Sequence, residues 1–201
     1  MKGVNIMVKK IGIDIDGVIT HEGDAEDNIW HNAFCEYFGK DIERKKDVFN
    51  FIEAYDLSQK EVEDFLDKNI ENIYKRVKPA PGARNTLCKL KESGVKILLI
   101  TARDKKFQDL TLNWLDKYNI FFDKLIHEEN KAPLAHNKNI SLFIEDNKKN
   151  ALQLLEYNIR VIIMDKYHNQ NIEHKHKDKI FRAENWNQIR NYIFTSSNIK
   201  Q

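Results

Sequence analysis

Short apolar runs recur along this chain and alternate with amphipathic segments, and this pattern constrains the fold more than any other feature. Five runs have the length and the Ile/Val/Leu content of buried parallel strands; they are Val8–Asp14, Val95–Thr101, Lys124–His127, Ser141–Glu145 and Arg160–Asp165. From the second run onward, helical segments with apolar residues three or four positions apart lie between or after them; these are Gly82–Ser93, Lys105–Tyr118, Asn147–Tyr157 and Glu184–Phe194. The alternation predicts an α/β fold with a doubly wound, Rossmann-like parallel sheet.

The interval between the first and the second strand is much longer than a βαβ crossover requires. It carries two helical patterns: Asp24 is a candidate N-cap of the first, and Ser58 with Glu61 forms a capping box at the start of the second. This interval therefore predicts a small helical cap inserted after the first strand, above its acidic end. The expected boundaries are a core domain over 1–19 and 79–201 and a cap over 20–78.

The composition is that of a globular protein and argues against several classes of partner. Hydrophobic residues make up 41% and charged residues 32% of the chain. Lys+Arg number 33 against 31 Asp+Glu, and a net charge of +2 favours neither nucleic-acid nor membrane-surface binding. No apolar run is long enough for an ordinary membrane span, and Met1–Lys10 lacks the apolar stretch of a secretory signal. A cytoplasmic protein is expected; the sequence gives no sign of its oligomeric state.

The cysteines and histidines do not suggest a soft-metal site. Cys35 and Cys88 fall within predicted helices without metal-ligand spacing, so we expect reduced core residues rather than a disulfide. His174 and His176 are flanked by lysines, which indicates a solvated loop rather than a metal clamp.

The first apolar run leads directly into Asp14-Ile15-Asp16-Gly17. A calcium loop would continue with more oxygen ligands and a closing Glu, which are absent here, and a solvated turn is the simplest alternative. Open α/β sheets, however, bind ligands just beyond the carboxyl ends of their strands. Asp14 and Asp16 are therefore candidates for a metal site, a nucleophile, or both.

Further polar residues follow the later strands or lie in the loop between two of them. Each one alone has an ordinary explanation, such as a solvated lysine or acids at a helix N-terminus. Their placement at consecutive strand ends, in order, indicates a single site. The residues are Thr101, Ala102 and Arg103 after the second strand, Lys131 in a polar loop, and Glu145 and Asp146 at the end of the fourth strand.

The charge of this set predicts a hard cation. Bringing Asp14, Asp16 and Asp146 together costs about 4 kcal/mol per close pair at an effective dielectric constant of 20. Lys131 alone cannot offset that repulsion. Mg²⁺ commonly binds one or two carboxylates together with substrate phosphate, so Mg²⁺ is the expected cofactor.

These motifs resemble, in order, the four motifs of the haloacid dehalogenase superfamily of phosphohydrolases, and the resemblance extends over nearly the whole chain. It is carried by Asp14-x-Asp16-Gly17-Val18, Thr101, Lys131 and Glu145-Asp146. Ile100–Arg103 followed by Asn113-Trp114-Leu115, and Phe143–Asn147 followed by Asn150-Ala151, are similar to the branch of 5'(3')-deoxyribonucleotidases and bacterial nucleotidases.

The resemblance implies a phosphomonoesterase mechanism and a role for each matching residue. Asp14 would form an aspartyl-phosphate, and Asp16 would act as general acid and then general base. Thr101, Ala102, Arg103 and Lys131 would bind the substrate phosphate. Mg²⁺ would be held by Asp14, the main-chain carbonyl of Asp16, and Asp146, with Glu145 orienting the site or serving as an alternate ligand.

The expected substrate is a small phosphorylated molecule, a nucleoside monophosphate. Trp30, Phe49, Phe51 and Tyr55 in the cap are candidates to stack on a base, or else form the core of the cap. The alternatives are a polynucleotide 3'-phosphatase, a sugar-phosphate phosphatase and a catalytically silent phospholigand-binding module.

Overall fold

The computed structural model describes residues 8–24, 27–39, 42–170, 172, 175 and 177–196. The expectations for Met1–Lys10 and for His174 and His176 fall partly or wholly outside these residues. Among the described helices, none combines the length and the apolar character needed to cross a membrane.

The chain contains eight strands and eight α-helices among the described residues. The strands are β1 (Lys10–Ile13), β2 (Thr20–His21), β3 (Lys78–Pro79), β4 (Lys96–Thr101), β5 (Lys124–His127), β6 (Leu142–Glu145), β7 (Arg160–Met164) and β8 (Ile180–Ala183). The helices are α1 (Ile29–Phe38), α2 (Phe51–Tyr55), α3 (Gln59–Arg76), α4 (Ala83–Glu92), α5 (Gln108–Lys117), α6 (Lys131–Asn137), α7 (Lys148–Glu156) and α8 (Trp186–Ser196).

Six of the strands form one parallel sheet in the order β5-β4-β1-β6-β7-β8. In β1, Ile13 is paired with Leu99 of β4 on one side and with Ile144 of β6 on the other. The strand order reverses at β1, so the crevice beyond its carboxyl end is the place where an open α/β sheet binds ligands. The predicted doubly wound α/β fold is confirmed.

Alternate residues of the strands face two separate layers of helices. Ile97 and Leu99 belong to a buried cluster with residues of α4, α5 and α8. Leu98 and Ile100 belong to a second cluster, which includes residues of α6 and α7. Because β1, β4 and β6 are buried on both faces, the polar residues at their carboxyl ends have a rigid base.

The inserted helices have a core of their own. Phe34 of α1 stacks on Tyr55 of α2 and on Phe65 of α3, with ring centroids 4.3 and 4.0 Å apart. The antiparallel pair β2 and β3 joins this layer to the sheet. Two buried tryptophans fix the connections, since Trp114 Nε1 donates to the carbonyl of Val77 at 2.8 Å and Trp186 Nε1 to that of Val18 at 2.9 Å.

Local details differ from the sequence predictions in several places. The N-cap of α1 is Asn28 rather than the predicted Asp24, because a cap must directly precede the first helical residue. Asn28 Oδ1 accepts hydrogen bonds from the backbone N–H groups of Trp30 and His31. The capping box of Ser58 and Glu61 is confirmed. Both cysteines are free, but Cys88 is exposed rather than a core residue.

Five elements were not predicted: β2, β3 and α2 in and around the inserted segment, and α6 and β8. Lys131 is the first residue of helix α6 rather than a loop residue; Pro133 lies in its first turn, where a missing N–H is tolerated. Strand β8 is a short edge strand with only partly buried residues before Ala183, so its apolar signal is weak.

Candidate active site

Carboxylates from β1 and β6 converge beyond the carboxyl ends of these strands. Asp14 follows β1, Glu145 ends β6 and Asp146 follows it, and all three side chains are buried. Oxygen atoms of the three lie within 4.8 Å of one another. The backbone N–H of Asp14 donates to the carbonyl of Ile144 at 3.0 Å, which fixes the two strand ends against each other.

Lys131 is the cation of this cluster. Its Nζ lies 2.6 Å from Asp14 Oδ2 and 3.0 Å from Glu145 Oε2. The other oxygen of Glu145 accepts from the backbone N–H of Asn147 at 3.1 Å and from Asn150 Nδ2 at 3.3 Å. Protein donors therefore engage both oxygens of Glu145, as they do those of Asp14 through Lys131 and the backbone N–H of Ile15.

The cluster carries more negative than positive charge. Burial raises the pKa of Asp14 well above its usual value; Lys131 opposes this, while Glu145, Asp146 and Asp16 raise it further. Burial lowers the pKa of Lys131, but the charges of Asp14 and Glu145 outweigh that effect, and the net shift is upward. Lys131 is thus held as a cation, and the excess of negative charge favours a divalent ion.

Asp16 lies at the edge of this cluster and is paired with Arg103. The guanidinium donates through Nε to Asp16 Oδ2 at 2.8 Å and through Nη2 to Asp16 Oδ1 at 2.6 Å. The Arg103 side chain is buried, and its planar group lies 3.8 Å from the ring centroid of Tyr74 in α3. A bidentate pair of this kind fixes both the position and the orientation of the carboxylate.

Thr101 is the last residue of β4, and Ala102 follows it. The Thr101 side chain is buried, and its Oγ1 accepts from the backbone N–H of Arg103 at 3.2 Å, which leaves its hydroxyl proton available to a ligand. Ala102 is exposed between them. The structure thus brings all the predicted strand-end residues to one edge of the sheet.

The four aromatic residues predicted to contact substrate have different surroundings. Tyr55 is buried in the cap core, where its hydroxyl lies 3.0 Å from His31 Nδ1. Trp30 and Phe51 pack partly buried against that core, with ring centroids 5.3 Å apart. Phe49 is 57% exposed, and its ring centroid lies 5.2 Å from that of His168 in the core domain.

Several residues at this edge of the sheet were missed by the sequence analysis. His168 lies in the loop after β7, with Nε2 3.2 Å from Asp146 Oδ2, and Asn169 Nδ2 donates to the main-chain carbonyl of Asp146 at 2.7 Å. The rule that identified Asp146, that polar residues beyond strand ends face the crevice, applies equally to this loop. Glu22 follows β2; burial and the charges of Asp16 and Asp146 raise its pKa to about 7. In the sequence, Glu22 belongs to an acidic run with Asp24, Glu26 and Asp27, for which a solvated start of a cap helix is a sufficient explanation.

The donor set fits a magnesium ion. The cluster of Asp14, Glu145 and Asp146 consists of hard carboxylate oxygens on a rigid sheet edge. Within the described part of the chain, no cysteine or histidine joins this cluster as a further ligand. Carboxylate oxygen without thiolate or imidazole is the environment in which magnesium is bound.

Comparison with known proteins agrees with this geometry. The family described as "5' nucleotidase, deoxy (Pyrimidine), cytosolic type C protein" matches residues 7–199. The Bacillus subtilis protein named "Putative nucleotidase YqfW" is 34% identical over 187 residues, which cover 88% of this chain and 89% of that protein. "Nucleotidase CA_C3379" of Clostridium acetobutylicum is 30% identical over 182 residues, or 89% of this chain and 90% of that protein.

Solved structures share the fold at low sequence identity. A haloacid dehalogenase-like hydrolase from Streptococcus pneumoniae, SP0104, superposes with a TM-score of 0.64 and 16% identity, covering 92% of this chain and 98% of that one. A haloacid dehalogenase family hydrolase from Deinococcus radiodurans, solved with bound phosphate and sodium, superposes with a TM-score of 0.62 and 14% identity. The match covers 94% of this chain and 96% of that one. The chain therefore belongs to the matched nucleotidase family and is a phosphoric monoester hydrolase, and its fold is that of haloacid dehalogenase-like hydrolases.

Proposed function

We propose that this protein is a Mg²⁺-dependent phosphatase of nucleoside monophosphates that works through an aspartyl-phosphate on Asp14. The observation that carries the proposal is the buried cluster of Asp14, Lys131, Glu145 and Asp146 at the point where the strand order reverses. Phosphoryl transfer requires positioned groups and neutralised charge more than covalent chemistry by the protein, and this cluster offers both.

Asp14 is the proposed nucleophile. The backbone N–H of Ile15 donates to its Oδ1 at 2.7 Å, and Lys131 contacts its Oδ2, so the carboxylate is held in one orientation. An Asp14 oxygen attacks phosphorus while the bond from phosphorus to the leaving oxygen breaks. Lys131 neutralises charge on Asp14 and on the transferring group, and the Thr101 hydroxyl and the Ala102 backbone N–H donate to phosphate oxygens.

Asp16 is the proposed acid and base. Protonated Asp16 gives its proton to the leaving oxygen; it then takes a proton from the water that attacks the aspartyl-phosphate, which releases inorganic phosphate and restores Asp14. Arg103 holds Asp16 by the bidentate pair, and its contact with the substrate phosphate is part of the proposal.

Asp14, the main-chain carbonyl of Asp16, and Asp146 would hold the Mg²⁺, with Glu145 orienting Lys131 or replacing a ligand. When bound, the ion supplies positive charge for the nucleophile and for the phosphate oxygens.

The family match supports the proposed nucleotide specificity. The separate core of the inserted helices supports the division into two domains. We propose that residues 20–78 form the cap and that 1–19 and 79–201 form the core domain. Because Tyr55 is buried in the interior of the cap and Trp30 and Phe51 pack against that interior, Phe49 is the best candidate for stacking on a base. The family description, which names a cytosolic protein, supports a cytoplasmic location.

The test is phosphate release from a panel of ribo- and deoxyribonucleoside 5'- and 3'-monophosphates, sugar phosphates and 3'-phosphorylated oligonucleotides, with Mg²⁺ and with EDTA. We expect turnover of nucleoside monophosphates that EDTA abolishes, and no turnover by Asp14→Asn, which keeps the shape of the side chain but removes the nucleophile. Preference for a sugar phosphate or an oligonucleotide end would overturn the substrate assignment. Binding without release by the wild-type protein would indicate a silent phospholigand module.

A further inference from the structure

The loop that follows β7 is fixed against Asp146 by a buried side chain. Asn169 is fully buried, and its Nδ2 donates to the main-chain carbonyls of Asp146 and Met164, each at 2.7 Å. Arg182 of β8 in turn donates to Asn169 Oδ1 at 2.7 Å and to the Asn169 carbonyl at 2.9 Å. The main chain of this loop therefore has one position relative to the proposed metal ligand.

His168 of this loop faces the carboxylate of Asp146. Its side chain is 6% exposed, and its Nε2 lies 3.2 Å from Asp146 Oδ2. The contact does not meet the geometry of a hydrogen bond, and Nε2 has no hydrogen-bond partner in the described ranges. Asp146 is thus the acceptor available to a proton on this nitrogen.

The same carboxylate oxygen also lies close to Gly17. A Cβ atom added at Gly17 would lie 2.2 Å from Asp146 Oδ2, so only a glycine leaves room for this oxygen. Asp146 Oδ2 is therefore close to both the Gly17 main chain and the His168 imidazole. Carboxylates that bind metals are commonly oriented by hydrogen bonds from neighbouring side chains, and the His168 imidazole can supply such a donor to this oxygen.

The cap reaches this histidine through the segment between α1 and α2. The Phe49 ring meets the His168 ring edge-on at an angle of 73°. From the same segment, the Arg44 guanidinium lies 4.1 Å from the ring centroid of Tyr167, the residue before His168. Two successive residues of the loop after β7 are thus covered by two side chains of the cap.

We propose that His168 is a positioning residue, whose Nε2–H holds Asp146 in the orientation that binds Mg²⁺, and that Phe49 keeps the imidazole in place. The affinity for the ion is then coupled to the seating of the cap on the core domain. This inference rests on the proposed function, because it takes Asp146 as a metal ligand.

The experiment measures Mn²⁺ binding to the full chain without substrate, from the electron paramagnetic resonance signal of the free ion. His168→Phe keeps a ring beneath Phe49 but has no donor, whereas His168→Gln loses the ring but places an amide donor near the position of Nε2. We expect the Kd to rise about 10-fold in His168→Phe and to return most of the way to the wild-type value in His168→Gln. Thermal melting in EDTA establishes that each variant is folded.

The outcomes separate this inference from the proposed function. If His168→Phe binds Mn²⁺ with the wild-type Kd, the positioning role is wrong. If Mn²⁺ binding weakens equally in His168→Phe and His168→Gln, the role is also wrong, because the loss then comes from packing and not from a missing donor. If the wild-type chain binds no Mn²⁺, or Asp146→Asn binds it equally well, the proposed metal site itself is wrong.

Phe49→Ala tests the coupling to the cap. We expect it to weaken Mn²⁺ binding in the wild-type background and to have a smaller effect in the His168→Phe background, because both residues then act through the same contact. Equal effects in the two backgrounds, or none in either, would overturn the role of Phe49.

Discussion

At the scale of single residues, the site depends on a main-chain conformation that only glycine supplies without strain. Gly17 has a φ of +68°, and any side chain there would collide with Asp146. Its role is thus to let the turn after Asp16 approach the end of β6. Sequence reasoning placed Gly17 in the motif, but the close contact with Asp146 depends on the pairing of β1 with β6 and appears only in the structure.

Replacing Gly17 by alanine should therefore abolish phosphatase activity and lower the melting temperature. Gly94 provides the matched control, since it has a similar φ of +75° but nothing within 4 Å of an added Cβ. Gly94→Ala should cost only the backbone strain, about 1–2 kcal/mol, and keep activity. Activity assays and urea unfolding of both variants check this; equal behaviour of the two would contradict the steric argument.

Glu22 gives the unfolding free energy a pH dependence of its own. Its pKa is raised from 4.5 to about 7 on folding, by burial and by the charges of Asp16 and Asp146. Between these two values the folded protein holds a proton that the unfolded chain has lost, so this residue makes stability fall as the pH rises from about 4.5 to 7.

The variant Glu22→Gln should remove that part of the pH dependence. Above pH 7 we expect it to be about 3 kcal/mol more stable than the wild-type protein, and close to it near pH 4.5. Urea unfolding in EDTA at several pH values measures the difference. A constant difference across the range would show that Glu22 does not titrate in this way.

At the scale of secondary-structure elements, strands buried on both faces and helices with clear caps could be predicted from sequence. Strands β4 and β6 and helix α3 have long apolar patterns or an explicit capping box, and these local signals agree with the tertiary packing. The short ribbon β2–β3 and the edge strand β8 have little apolar signal, because they depend on pairing with distant residues. The cap aromatics illustrate the same limit, since residue type cannot distinguish a ring in the cap core from one that faces a ligand.

The start of α3 offers a test of how much a local signal contributes. The Ser58 hydroxyl accepts from the backbone N–H of Glu61 at 3.3 Å, and Glu61 Oε2 accepts from the backbone N–H of Ser58 at 2.8 Å. Ser58→Ala should lower the unfolding free energy by about 1 kcal/mol, whereas Ser58→Asp, which keeps a capping oxygen, should lose much less. Urea unfolding of both variants measures this; equal losses would mean that the cap is not the cause.

At the scale of the whole molecule, the fold concentrates charge beyond the carboxyl ends of β1 and β6, beside the start of α6. The buried acids Asp14, Glu145 and Asp146 face one lysine, so the metal-free protein carries an unfavourable excess of negative charge at this point. The placement of these acids at the strand ends could be predicted from the sequence. The strand-end rule also points to the loop after β7, but it does not say which residue of the loop contacts Asp146; that contact, made by His168, depends on the pairing of β7 beside β6.

This excess of charge predicts that Mg²⁺ stabilises the fold by mass action. A ligand present at 100 times its Kd adds about 2.7 kcal/mol, which for a chain of this size raises the melting temperature by roughly 5–10 °C. Asp146→Asn should remove most of this shift; in EDTA it should melt no lower than the wild-type protein, since one repulsive charge has gone. Calorimetry with and without Mg²⁺ measures both effects. If Asp146→Asn still shows the full Mg²⁺-dependent rise in melting temperature, the stabilising ion binds elsewhere. If the variant loses this rise but keeps its stability in EDTA, the negative charge at this sheet edge serves to bind the ion and destabilises the metal-free fold.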